Sequence, residues 1–501
     1  MASHWNNAVV LCSSGLIAAL AVGCSGTKQS LVQSDASPRT AVEHAQAATS
    51  DVAVSSPSEP VTKAAHWEPV KTEGPSSDTS SPPNKSQSLT ELEAIASASN
   101  PGLLRLEQQV EAAWAKTGHV DRLPDPTVGA NLFVSPIETA AGSQRANLSV
   151  SQMIPWLERL DAKSQQACYE AMAAQQALDA QRLKVIADVR AAWFRLFVLG
   201  RQVETNRASQ QLLKTLIEVA NARVATGAAA QGDVLLGTLE ISRLEEQLIT
   251  FRQQIESTKA ELNRIAGRDA SFRVDIPQTL DVSLPKWSYE SLTQLAAEHQ
   301  PAIEAARLHT HATRWGVEVA RLERRPNFAV NATWFGIDNN RPATSVVNVG
   351  EDAWSLGAQM SLPVWSQKYD ALENEANWKH QASYSTVEDV TRRFDARLRD
   401  LWEQAAAADR TRQLYAETIL PQARQTLDAD QQSYANGAVE FDRVVRDVRN
   451  VLTLQDGLHR STGQLATALA RIEEAVGTVV AVPAEASVAD KSGTVVADRR
   501  N

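Results

Sequence analysis

A chain of 501 residues with a formal net charge of −10 and a pI near 5.5 carries no concentrated basic stripe, which argues against a nucleic-acid partner. Three cysteines are too few for a disulfide scaffold. There is no nucleotide-binding glycine loop, paired-cysteine motif or HExxH sequence, so neither catalysis nor a resident cofactor is expected. No stretch after Cys24 stays apolar for about 18 residues, which excludes a spanning helix and leaves a β-barrel as the way to cross a bilayer.

Residues 1–23 read as an export signal, with a short apolar stretch through Ala8–Leu11 and Leu16–Val22. Its end, Leu20-Ala21-Val22-Gly23-Cys24-Ser25, resembles the lipobox in which the cysteine becomes an acylated first residue. Two features depart from that pattern: the leading segment lacks Lys and Arg, and Ala21 stands three before Cys24 where leucine is usual. An ordinary cleaved signal is the other reading. Residues 24–88 are rich in Ser, Pro, Thr and Ala and read as a disordered tether, because too few large apolar side chains are present to offset the entropy of ordering. Residues 478–501 read as a second flexible tail.

Between the tails the chain is written twice. Pro101 to Pro126 matches Pro301 to Pro326 at an offset of 200; the offset grows to 208 at Pro155/Pro363 and to 210 at Gly227/Gly437. Two copies of one unit follow, 89–286 and 287–477, with a slightly longer loop in the second. Each is expected to run helix, strand, strand, long helix, break, long helix.

Strands are predicted at about 127–135 and 145–154, and again at about 327–337 and 353–362. Val128, Ala130, Leu132 and Val134 share one face of the first, and Ala146, Leu148, Val150 and Ile154 one face of the second. Phe328, Val330, Ala332 and Trp334, then Trp354, Leu356, Ala358, Met360 and Leu362, repeat the pattern. The opposite faces carry Ser, Gly, Asn and Gln. Such alternation marks a membrane barrel strand with lipid-facing Val128, Leu132, Leu148, Val150, Phe328, Val330, Trp354 and Leu356. A soluble antiparallel sheet packed on a helix shows the same alternation. The nearly uncharged polar face, and Trp156, Trp334, Trp354 and Trp365 at strand ends, favour the barrel.

Long helices are predicted at about 156–226 and 231–266, and at about 366–436 and 439–475. The only proline in the two longer ones is Pro421. About 70 residues at 1.5 Å each reach about 105 Å, a coiled-coil length. Ile241, Leu248, Ile255 and Leu262 recur every seventh residue with Leu244, Phe251 and Ile265 beside them. Val451, Leu458, Leu465 and Ile472 repeat this with Leu454, Ala468 and Ala475. Pro155 and Pro363 mark where strand becomes helix, and Gly267 is placed to end a helix. Cys168, on a predicted helix, is read as a small buried or semi-buried side chain.

Two strand pairs each followed by a long coiled-coil hairpin resemble the outer-membrane efflux proteins of the TolC type, over about Leu89 to Gly477. The most specific element is the hairpin break: Arg223-Val224-Ala225-Thr226-Gly227 followed by Gln231-Gly232-Asp233-Val234-Leu235. Ser433-Tyr434-Ala435-Asn436-Gly437 followed by Phe441-Asp442-Arg443-Val444-Val445 is its counterpart. Leu123-Pro124-Asp125-Pro126, with Asn100-Pro101 upstream, is similar to the heavy-metal-efflux branch, and a lipidated Cys24 fits the family. The resemblance implies a mainly helical homotrimer. Four strands per chain would close a 12-stranded barrel in outer-membrane lipid, above a helical barrel reaching across the periplasm. It implies a passive efflux duct whose energy comes from an inner-membrane pump through a periplasmic adaptor docked at the hairpin tips. A type I protein-secretion duct and a coiled-coil scaffold lipoprotein without a pore are the alternatives.

The tips are where such a duct closes. Gly227 and Gly437 fit the sharp turns, and Asp233 stands at the expected acidic position of the first aperture. Its counterpart is Arg443, flanked by Asp442 and Arg446, where the family carries carboxylates. An Asp233–Arg443 pair between neighbouring hairpins is the expected latch; two solvated surface charges worth little are the other reading. His309 and His311, two apart on a helix, fall on different faces and make a poor metal pair.

Overall fold

The computed structural model describes residues 88–340 and 349–478; Cys24, the export signal, the tether and most of the C-terminal tail lie outside them. The first repeat comprises α1 (Leu89–Ser99), α2 (Pro101–Thr117), β1 (Thr127–Thr139), β2 (Gly142–Ile154), α3 (Leu157–Ala225) and α4 (Gln231–Ile265). The second comprises α5 (Tyr289–His299), α6 (Pro301–Leu322), β3 (Phe328–Asp338), β4 (Ala353–Met360), α7 (Ser366–Leu414), α8 (Leu420–Ala435) and α9 (Phe441–Val476). Each repeat therefore opens with two helices where one was expected. Asn100 and Gln300 separate them: each accepts from an N–H of the following turn, with proline next at N1, where the lost N–H costs nothing.

The four strands form one antiparallel sheet in the order β1-β2-β3-β4. The register aligns the expected faces: Val128 lies opposite Val150, Val150 opposite Ala332, and Ala332 opposite Leu356. Ala130, Leu148, Trp334 and Trp354 form the next row. On the other face Gly129, Ser149, Thr333 and Ser355 align, and Asn131 donates to Asn147 at 2.8 Å. The apolar face has no cover among the described residues, with Leu132 84% and Leu356 87% exposed. Edges differ from expectation. β1 and β2 extend to a turn at 140–141, with a register irregularity between Leu132 and Ile137, and β4 stops at Met360, two residues early.

At 69 residues, α3 spans about 100 Å. Its counterpart is not one helix. A π-helical turn at Tyr415–Ile419 separates α7 from α8. Pro421 has no N–H for the carbonyl of Glu417 and its ring crowds that carbonyl, so the turn widens and the Leu420 N–H reaches back to Tyr415.

The two copies are locked by the same joint. The Asn100 side-chain amide donates to the Ile265 carbonyl at 2.7 Å, and Gln300 donates to Glu474 and Ala475 carbonyls, both at 2.8 Å. Gly267 (φ 68) and Gly477 (φ 90) end α4 and α9 there. A Cβ on either would fall 2.1 Å from the Ser99 carbonyl oxygen or 2.5 Å from that of His299. Each lead helix buries the equivalent pair, Leu92 and Ala96 against α3, Leu292 and Ala296 against α7 and α9. The predicted heptads supply the cores, with Leu248, Ile255 and Leu262 buried on α4 and Val451, Leu465 and Ile472 on α9. Toward the tips the separate cores merge: Leu213, Leu216 and Leu244 pack with Tyr434, Phe441 and Val448. A non-helical strap after α4 crosses the outside of this layer, setting Ile276 over Gly200 and Leu280 and Val282 against Phe194, Ala466 and Ala470. Cys168 is buried, as expected. His311 stacks on Tyr169 at 5.3 Å.

Candidate functional site at the hairpin tips

Both tips are built identically at the backbone. The chain leaves α3 through Gly227 (φ 75) and α8 through Gly437 (φ 80). The Ala228 N–H donates to the Arg223 carbonyl at 2.8 Å and the Ala438 N–H to that of Ser433 at 2.9 Å; the glycine N–H groups reach Val224 and Tyr434, both at 3.0 Å. The last carbonyls of each helix are satisfied as a left-handed glycine reverses the chain. Asp233 and Arg443 then occupy matching first-turn positions, their N–H groups donating to Ala230 and Glu440 at 3.1 and 3.2 Å.

The side chains diverge. Arg443 Nε lies 2.7 Å from Asp430 Oδ2 on its own hairpin, and Arg446 pairs with Asp442 at 2.9 Å. The expected Asp233–Arg443 pair is therefore not made within the chain. A carboxylate across the same hairpin reaches Arg443 first, and Asp233 makes no ion pair among the described residues. Asp447 lies against Asp430. Burial first, then the neighbouring Asp430, pushes the Asp447 carboxyl up, while hydrogen bonds from Asp447 and then Arg443 hold Asp430 below its ordinary value. Of the two carboxyls, Asp447 is the one whose protonated form is favoured.

Toward the tips, Arg223 and Arg449 cross between hairpins. The Arg223 guanidinium lies 4.7 Å above the Tyr434 ring, donates to the Tyr434 carbonyl, and reaches the Ala228 carbonyl at 3.1 Å. Tyr434 is buried against Phe441, with ring centroids 5.3 Å apart. Burial, then the charge of Asp233, raises its phenol. Farther from the tip, Arg449 forks onto Glu240, with Nε–Oε1 2.7 Å and Nη2–Oε2 2.6 Å, and Arg243 adds a contact at 3.3 Å. Glu240 is buried, and the Arg449 hydrogen bonds hold its carboxyl below the usual range against the opposing effect of burial.

Sequence reasoning placed the glycines and the matching Asp233 and Arg443, but assigned no role to Arg223, Tyr434, Asp430, Asp447, Glu240 or Arg449. Arg223 and Tyr434 stand inside the recognised tip motifs, so proximity to the turn was the available signal. Glu240 and Arg449 are 209 residues apart, one short of the offset, so the repeat does not align them. Among the described residues no group of three or more His, Cys, Asp or Glu side chains is arranged to hold a metal ion. The arrangement holds two helical hairpins together at one end through stacking, hydrogen bonds and a forked ion pair.

The family model for outer membrane efflux proteins matches residues 94–268 and 292–478. A fusaric acid resistance protein, FusA, of Burkholderia cepacia is 23% identical over 154 residues, 30% of this chain and 29% of that protein. The solved outer-membrane channel OprN superimposes with a TM-score of 0.67 at 15% identity, covering 78% of this chain and 90% of that one. The outer membrane protein VceC of Vibrio cholerae gives 0.65 at 18% identity, covering 78% and 96%. These structures share its fold, a helical hairpin body carrying a small antiparallel sheet. With both repeats matched over most of their length, the chain belongs to the outer membrane efflux protein family.

Proposed function

We propose that this chain is one protomer of a homotrimeric exit duct in the outer membrane, the channel component of a tripartite efflux system. The observation that carries it is the sheet: four strands, two open edges and one bare apolar face. Open edges are not tolerated in hydrocarbon, so β1 must pair with β4 of another copy. Three copies close a barrel wide enough for a lumen, with the Ser, Thr and Asn face inward. The 11 residues of β3 match a tilted spanning strand. Trp334 faces Trp354 at one end of the sheet, and Trp156 and Trp365 stand at the helical end, as an interfacial girdle would require. None of the described helices is long and apolar enough to cross a membrane.

The long helices then form the periplasmic duct, and the exposed tips around Gly227 and Gly437 receive the adaptor that links it to an inner-membrane pump. Asp233, with no ion pair among the described residues, is available to a neighbouring copy. Acylation of Cys24 would anchor the mature chain. A relative named for fusaric acid resistance supports small toxic organic compounds as cargo.

Purified full-length protein in planar bilayers should give a stable conductance, and cysteines placed on β1 and β4 should cross-link copies into trimers. Absence of conductance, with the sheet edges remaining uncross-linked, would reject the duct.

A further inference from the structure

Outside the tips, a groove of about 610 Å³ lies between α3, α7 and α9. Its floor is apolar, from Phe194, Val198, Leu401 and Ala408, and its walls carry Gln404, Gln464, Thr411 and Thr467. Three guanidinium side chains border it, Arg195, Arg460 and Arg471, and no acidic residue lines it.

The groove opens on the bare side of the helical layer. On α3 the strap and lead helices cover Trp193, Leu196 and Gly200, while Arg195 and Val198 point into the groove. On α7, Phe394, Leu398 and Trp402 pack with α5 residues, while Gln404 and Thr411 line the groove. On α9, Ala466 and Ala470 meet the strap, while Gln464 and Thr467 face the opening. In the duct this bare side is the inner wall.

The three arginines are not equally committed. Arg471 is held by Asp188 at 2.6 Å and Glu474 at 2.9 Å. Arg460 reaches Asp456 only at 3.6 Å, and burial favours the neutral form of that carboxyl. Arg195 is exposed and has no ion pair or hydrogen bond among the described residues. Two guanidinium groups therefore stand above an apolar floor with charge to spare. The volume falls within the ~300–1,000 Å³ typical of small-molecule sites, and guanidinium suits a carboxylate because its planar fork gives two parallel hydrogen bonds.

We propose that this groove is a binding site for small amphipathic organic acids, the ring on Phe194 and Leu401 and the carboxylate between Arg195 and Arg460. Its orientation toward a lumen rests on the duct reading; its ligand chemistry does not. The open mouth makes binding weak and reversible, as transit along a wall requires.

The test is ligand-observed fluorine NMR with 6-fluoro-1-naphthoate and the full chain in lipid nanodiscs, subtracting empty nanodiscs. Binding should be saturable, weaker in high salt, and absent for the neutral methyl ester. Arg195→Gln/Arg460→Gln should weaken it about tenfold or more, since the carboxylate loses both of its charge-assisted partners. Arg195→Lys/Arg460→Lys should recover part of it at an unchanged melting temperature. No saturable binding, equal binding of the ester, or affinity unchanged in the glutamine variant would overturn the site. Loss of bilayer conductance in the wild type would instead strike the duct reading and leave this binding result standing.

Discussion

The two hairpins of one chain have the same backbone and different side-chain chemistry. Gly227 and Gly437 end their helices with matching hydrogen bonds, and Asp233 and Arg443 occupy matching turns. Yet at the first tip Asp233 makes no ion pair among the described residues, whereas the second holds Arg443, Asp430 and Asp447 together. The duplication thus preserved what backbone geometry demands and freed the positions that face other hairpins. A three-fold assembly of such chains alternates two kinds of tip, so neighbouring contacts need not be equivalent.

The comparison breaks first where both copies depend on a glycine. Gly267→Ala and Gly477→Ala should each destabilise by about 3–4 kcal/mol, combining a left-handed φ with a Cβ driven into a backbone carbonyl. Thermal unfolding of the purified protein checks this, and similar losses at both sites would confirm that the joint is shared. Next is the contact joining the unlike hairpins. Arg449→Ala leaves the buried Glu240 carboxylate with only the longer Arg243 contact and should cost about 2–3 kcal/mol, below the range for fully buried pairs because Arg449 is 42% exposed. Spin labels on α4 and α9 should then report a broader inter-hairpin distance distribution.

A smaller effect separates the tips themselves. Gly227→Ala meets no atom within 4 Å and should cost only about 1 kcal/mol of backbone strain, while a Cβ at Gly437 comes 3.2 Å from Arg223 and should also displace its stacking on Tyr434. Gly437→Ala exceeding Gly227→Ala in melting-temperature loss is the expected order.

The pH dependence is the subtlest test. Glu240 is depressed, so its stabilisation is present above its ordinary value of 4.5 and is lost as pH falls through the folded value. Asp447 is raised, so its folded form binds the proton more tightly, and that contribution fades as pH rises from 3.8 through the folded value. Asp447→Asn should remove this second slope from a melting-temperature profile and leave the first. A profile unchanged by Asp447→Asn would show that the raised Asp447 carboxyl does not contribute.

Much of this was legible in the residues because it depends on local rules. Alternation specified the sheet faces, and the register joined Val128, Val150, Ala332 and Leu356 into one row across both repeats. Heptads identified the buried seams of α4 and α9. Pro421 was visible, but the π-helical turn it induces was not, because several backbone adjustments satisfy a missing N–H. That Asp233 and Arg443 do not pair within the chain has a related reason: position in the repeat says where a charge stands, but not which carboxylate is nearer. Asp430 settles that only once α8 and α9 pack together.

By itself, the sequence determined the duplication, the strand faces, the coiled-coil seams and the glycine turns, since each follows from periodicity or from a backbone conformation that only glycine adopts freely. Tertiary structure alone decided the strand order, the clamp from Glu240 to Arg449 and the arginine-bordered groove between α3, α7 and α9. Those features join residues far apart in the chain, and their energies depend on distances and desolvation that exist only after the helices have packed.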